Sequence, residues 1–184
     1  MKVALLGDSI RGIGYGTKVP TLLGKDYEVF QPSENCRFSK YTQWCIHDWS
    51  KKMEGSRIIH WNNGLWDVFN HGNGIFSTEE EYLSNMLYIA DRLLQITENV
   101  IFATTTPVTD VHPNIQNADI VRYNALIVPE LQKKGIFIND LHALVAEDVD
   151  RYIRKDDNIH LTEAGIDVCA RQVADFIRTV ASRS

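Results

Sequence analysis

Five short apolar runs alternate with stretches of helical periodicity, and that alternation leaves few folds open to the chain. The runs cover residues 3–6, 27–30, 58–61, 100–103 and 136–138, and they are rich in β-branched and aromatic residues. Between them, Tyr82, Leu83, Met86, Leu87, Ala90, Leu93 and Leu94 mark one face of a helix over 79–97. Thr78, followed three residues later by Glu81, supplies its capping box. A helix over about 118–134 should kink or break at Pro129 and end at Gly135 in a left-handed cap. The last helix repeats Ile166, Cys169, Ala170, Val173, Phe176, Ile177 and Val180 behind an N-cap at Thr162. Strands alternating with helices imply right-handed crossovers and a parallel sheet covered on both faces. No repeat, linker or low-complexity tract divides the 184 residues, so one domain over 1–184 is expected.

Composition narrows the function by exclusion. A formal net charge of −5 without a basic stripe argues against nucleic acid as a partner. The three cysteines, Cys36, Cys45 and Cys169, form no CxxC pair and read as small, mostly buried thiols of a reducing compartment. Residues 3–6 are too short for a signal-peptide apolar region, and no later run is long enough to cross a membrane. A cytoplasmic protein with no membrane partner is therefore expected. The glycines of GIGYG, residues 12–16, lack the sixth-place glycine of a dinucleotide loop, and no phosphate-loop motif occurs. The six histidines are scattered without metal-ligand spacing, so neither metal nor cofactor is expected.

In a parallel α/β sheet, ligands bind outside the carboxyl ends of the strands, at a switch point in strand order. The first run ends in Gly7-Asp8-Ser9, which places Ser9 at that rim. A serine hydroxyl needs an adjacent base, itself oriented by a third group. Asp157 and His160 stand three apart on the segment entering the last helix, where one tight turn can bring carboxylate to imidazole. Two rival pairs, Asp110 with His112 and Asp140 with His142, have two-residue spacing, which in an extended segment points both side chains the same way.

With these residues the chain resembles the GDSL-type, or SGNH, serine hydrolases over nearly its whole length. The family's first block matches Gly7-Asp8-Ser9 and its last, D-x-x-H, matches Asp157 and His160. The resemblance implies a flavodoxin-like three-layer α/β/α sandwich with a five-stranded parallel sheet, cleaving esters through Ser9 as nucleophile, His160 as base and Asp157 as orienting acid. NCRFSKYT, residues 35–42, fits the second block, with Lys40 where the family has a glycine donating its backbone N–H. The third block, G-x-N-D, aligns with Gly64-Leu65-Trp66-Asp67, so tryptophan replaces the family's oxyanion asparagine. The implied oxyanion hole is then the N–H groups of Ser9 and Lys40 with the Asn63 amide, the Trp66 indole N–H being the alternative donor.

Trp61, Trp66 and Phe69 fall near the rim, where aromatic faces can stack on a sugar. The family includes esterases that remove acetyl groups from carbohydrates. Hydrolysis of short-chain, acetyl-type esters of a small molecule or an oligosaccharide is the first reading. An acyltransferase on the same triad and a non-catalytic carbohydrate-binding module are the alternatives.

Overall fold

The computed structural model describes residues 1–183. Its sheet has five strands, β1 (Lys2–Leu6), β2 (Glu28–Phe30), β3 (Ile58–Trp61), β4 (Val100–Ala103) and β5 (Phe137–Asn139). All pairs are parallel, in the order β2-β1-β3-β4-β5. The helices are α1 (Val19–Leu23), α2 (Ser39–Met53), α3 (Glu79–Leu94), α4 (Asn117–Lys133), α5 (Leu141–Ala146), α6 (Val149–Tyr152) and α7 (Glu163–Ala181). α3 packs between α2 and α4, whereas α7 packs with α1, α5 and α6, so the sheet lies between two helical layers. The parallel sheet covered on both faces is what the alternation of runs implied, and the five-stranded three-layer α/β/α sandwich is what the family resemblance implied. No helix among the described residues is long and apolar enough to cross a membrane.

β1, β3 and β4 are buried at nearly every position, as strands covered on both faces must be. Thr78 and Glu81 form the expected reciprocal capping box, and the Thr162 side chain accepts from Gly165 N–H at the start of α7. α3 stops at Leu94, short of 97, where the Thr97 hydroxyl turns to donate to the Arg57 carbonyl. α4 runs through Pro129 without a break. Pro129 and Ala125, whose carbonyl the proline leaves unbonded, are both on the exposed side, so water can satisfy that oxygen. Gly135 follows in the left-handed conformation, φ +78°.

Strand order fixes where a site can form. The chain leaves β1 toward β2 on one side and leaves β3 toward β4 on the other, which opens a crevice between the carboxyl ends of β1 and β3. Beneath it, in β3, lies the fully buried His60. The Gln172 amide donates to Asn139 Oδ1, which leaves Asn139 Nδ2 to face His60 Nε2 at 3.3 Å. The imidazole thus accepts at Nε2, and burial pushes its pKa down to about 3.

The pH consequence has a definite sign. Between the ordinary histidine value and about 3, the unfolded chain binds a proton at His60 that the native state does not. That part of the stability is present near neutrality and is lost as pH falls through this window. Asp67, raised to about 6 by burial, works in the opposite direction over part of the same range. His60→Gln removes only the first effect. Urea unfolding at about pH 7 and about pH 4.5 should show a fall in stability smaller by about 2–3 kcal/mol in the variant. An identical fall in both proteins would mean that His60 does not carry the acid sensitivity.

Candidate active site

Ser9 follows β1 by a single short turn and has helical backbone angles, φ −64° and ψ −25°, ahead of the tight turn Ile10–Gly14. Asp8 holds that turn: its Oδ1 accepts from Ile10 N–H at 2.9 Å and from Asn62 Nδ2 at 3.0 Å, and its carbonyl accepts from Arg11 and Gly12. Asn62 Oδ1 accepts in turn from the Tyr15 hydroxyl at 2.8 Å. The loops after β1 and β3 are thereby joined across the crevice. Gly7 is required there, because a Cβ would lie 2.0 Å from Asn62 Oδ1.

Asp157, His160 and Ser9 form one hydrogen-bonded line. His160 Nδ1 lies 2.9 Å from Asp157 Oδ2, and His160 Nε2 lies 2.9 Å from Ser9 Oγ. A carboxylate can only accept, so Nδ1 carries the proton and Nε2 accepts from the serine hydroxyl. Partial burial works to raise the Asp157 pKa. Hydrogen bonds from His160 and Ile159 N–H and from the His160 ring outweigh it and hold the carboxyl at about 2. Those N–H groups reach Asp157 Oδ1 at 3.0 and 3.1 Å, which fixes the carboxylate for its second oxygen to meet the ring. Neighbouring Asp156 is instead paired with Arg154, whose Nε lies 2.9 Å away.

Neither rival pair forms such a line. Asp140 caps α5 by accepting from Ala143 N–H. His112 Nδ1 accepts from Asn114 N–H at 3.2 Å and Ile115 N–H at 3.0 Å. These two donors place the His112 proton on Nε2, and burial lowers its pKa, so it is a neutral ring with a fixed N–H.

Two clefts meet at Ser9. One, about 500 Å³, is lined by Leu65, Trp66, Phe69, His71, His112, Ile159 and His160 together with Ser9 and Asn35. The other, about 460 Å³, is more polar and lies among Gly12, Thr17, Gln31, Pro32, Ser33 and Glu34, again with Ser9 and Asn35.

The remaining expected site residues are placed differently from one another. Trp66 is 42% exposed and lines the aromatic cleft. Trp61, expected as a substrate contact, is fully buried: it ends a central strand and packs against Phe102 with ring centroids 5.0 Å apart. Its indole N–H donates to Asn63 Oδ1 at 2.7 Å, and Asn63 Nδ2 donates to the Arg37 carbonyl at 2.8 Å. The Asn63 amide is thus committed at both ends, and Asn63 lines neither cleft. Lys40 also lines neither, bordering a separate cavity of about 240 Å³ with Phe38, Phe76 and Ser77.

The acid of the third block has a structural task here. Asp67 accepts from Ser39 N–H, Ser39 Oγ at 2.6 Å and Ser77 Oγ at 2.8 Å, so it caps α2, whose own N-cap Phe38 offers no side-chain acceptor. Sequence reasoning weighed His112 only as a rival to the Asp157–His160 pair and gave Asn35 no role, yet both line the aromatic cleft. For Asn35 the available signal was its position at the head of the second block.

No protein-family model matches the chain, and no curated protein matches it. Solved structures do. An acetyl xylan esterase, AlAXEase, superposes with a TM-score of 0.78 at 21% identity, covering 96% of this chain and all of its own. The chain shares that esterase's fold. A lipase/acylhydrolase from Enterococcus faecalis follows it with a TM-score of 0.79 at 16% identity, over 97% of this chain and 95% of that one. The acetylxylan esterase Axe2 from Geobacillus stearothermophilus gives 0.77 at 15% identity, over 97% and 93%.

The two carboxylates give the site a checkable electrostatic signature. A ¹³C carboxyl titration should find Asp157 ionised down to about 2 and Asp67 taking its proton at about 6. The reverse order would remove Asp157 as the anionic partner of His160.

Proposed function

We propose that the protein is a serine esterase of the SGNH type, with Ser9 as nucleophile, His160 as general base and Asp157 as the group that orients it. The observation that carries this reading is the unbroken line from Asp157 Oδ2 through both nitrogens of His160 to Ser9 Oγ. Its polarity suits acyl transfer: the carboxylate holds the Nδ1 proton, and Nε2 is free to take the serine proton. Three residues drawn from opposite ends of the chain have little structural reason to align this way at a cleft.

In the first half-reaction Ser9 Oγ bonds to the ester carbonyl carbon while its proton passes to His160 Nε2. The carbonyl electrons move onto oxygen, where the Ser9 N–H donates to the developing charge. Asp157 stabilises the imidazolium. The C–O bond to the alcohol then breaks, and the alcohol leaves with the His160 proton. Water repeats the sequence on the acyl-enzyme and releases the acid.

The two clefts assign directions to the substrate. The leaving alcohol must lie within reach of His160, and only the aromatic cleft contains that residue. Trp66 and Phe69 offer faces for a sugar ring, and the His112 Nε2–H offers a donor to a hydroxyl. An acetylated sugar or oligosaccharide fits that lining, in keeping with the acetylxylan esterases among the structural neighbours. The acyl group points to the polar cleft. The net charge of −5 without a basic stripe and the free thiols, Cys36 and Cys169 buried and Cys45 partly so, accord with a cytoplasmic enzyme acting on a small ester.

Steady-state hydrolysis of p-nitrophenyl acetate and of an acetylated xyloside tests the proposal. Ser9→Ala and His160→Ala should each lower kcat by roughly 10⁴-fold or more while the protein stays folded, and their losses should not add. Asp157→Asn should lose on the order of 10³–10⁴, with Asp156→Asn near wild type. Trp66→Ala should raise KM for the xyloside and leave KM for the aryl ester within a few-fold. A Ser9→Ala protein that keeps a tenth of the activity contradicts the assignment.

A further inference from the structure

The third block leaves the side-chain donor to the oxyanion without an owner. Trp66 stands in place of the asparagine, and its indole, the alternative donor, belongs only to the aromatic cleft; the amides of Asn62 and Asn63 are already engaged at both ends. Asn35 is in a different situation. It and Ser9 are the two residues that line both clefts, so it stands on the ridge where acyl and alcohol parts of an ester would separate.

The orientation of its amide is fixed. Arg37 N–H reaches Asn35 Oδ1 at 2.7 Å. A backbone N–H can only donate, so Oδ1 faces Arg37 and Nδ2 faces away from it. Among the described residues Nδ2 has no partner. Arg37 takes φ +51°, a left-handed conformation uncommon outside glycine. Such conformations persist where surrounding contacts impose them, and they gather at functional sites.

The segment carrying Asn35 is tied on both sides to the turn that carries Ser9. Cys36 N–H donates to the Gly7 carbonyl, and Gly7 N–H donates to Cys36 Sγ, both at 3.1 Å. The buried Arg11 donates to the Pro32 and Glu34 carbonyls at 3.0 and 2.9 Å and to the Gly7 carbonyl at 3.1 Å. Burial pushes the Cys36 thiol up to about 12, so it serves this contact as an uncharged acceptor. Asn35 is therefore positioned by rigid neighbours, as a preorganised donor must be.

We propose that Asn35 is the side-chain oxyanion donor of this enzyme, its Nδ2–H acting beside the Ser9 N–H on the tetrahedral oxygen. The proposal rests on the serine-esterase reading. No proton is transferred to the oxyanion: the carbonyl π electrons shift onto oxygen as Ser9 Oγ adds, the Asn35 hydrogen bond shortens, and the electrons return as the alcohol leaves. A donor on the ridge between the clefts can meet that oxygen while the acyl and alcohol parts extend to either side.

Two variants separate donation from a purely structural role. Asn35→Asp keeps the oxygen that accepts from Arg37 N–H and loses the donor, whereas Asn35→Ala loses both. On p-nitrophenyl acetate, each should lower kcat by about 10²–10³-fold with KM within a few-fold of wild type. Thermal unfolding of Asn35→Asp should stay close to wild type. Wild-type kcat in a folded Asn35→Asp protein would overturn the assignment, because the turn survives and the donor does not. Failure of the esterase reading is distinguishable, since Ser9→Ala would then match wild type in the same assay.

Discussion

The loops that leave β1 and β3 diverge toward opposite faces of the sheet, and the crevice between them is held together by polar groups that water barely reaches. Asn62 does this at the centre, with one end of its amide on Asp8 and the other on the Tyr15 hydroxyl. Every donor and acceptor of that amide that the loops engage is buried, so breaking one contact leaves an unsatisfied partner at a cost of roughly 1–3 kcal/mol. The serine turn and the loop leaving β3 meet at this junction. Arg11 extends it by binding three backbone carbonyls, two of them on the Pro32–Glu34 stretch.

Three carboxylates near the crevice have three environments, and burial decides most of the difference. Asp157 is partly exposed and receives two backbone N–H groups and an imidazole, which hold it ionised. Asp67 is buried and accepts only neutral donors, so its pKa rises to about 6 despite three hydrogen-bonding groups. Asp8 is also raised by burial, with Asn62, Ile10 N–H and Arg11 acting against it. The anionic charge that a positively charged imidazolium needs is thus concentrated at Asp157, on the far side of His160 from Ser9.

The fold was legible because its signals are local. Strand-length apolar runs, the Thr78–Glu81 box and the Thr162 cap each act within a few residues, and the connection rules make the sheet parallel with both faces covered. The alignment of Asp157, His160 and Ser9 was legible as well, since Asp157 and His160 share one turn and both motifs sit at predictable ends of elements. Asn63 shows where such reasoning stops. Its amide direction is settled by the Trp61 indole and the Arg37 carbonyl, a contact 26 residues away that no spacing rule specifies. Trp61 likewise looked like a rim aromatic, but a residue ending a central strand packs inward against Phe102. The tautomer of His112 depends on two backbone N–H groups and is invisible to side-chain patterns. Asn35 was hidden for a related reason: its significance lies in an unused donor, and only the surrounding contacts reveal which groups are used.

The account turns on Ser9 being a nucleophile activated by His160. Incubation with a fluorophosphonate, followed by peptide mass spectrometry, tests this directly because the reagent forms a stable bond to an activated serine. The predicted result is a single phosphonyl adduct on Ser9, absent in Ser9→Ala and formed far more slowly in His160→Ala. An unlabelled Ser9 in folded wild-type protein, or labelling at the same rate without His160, would contradict the account.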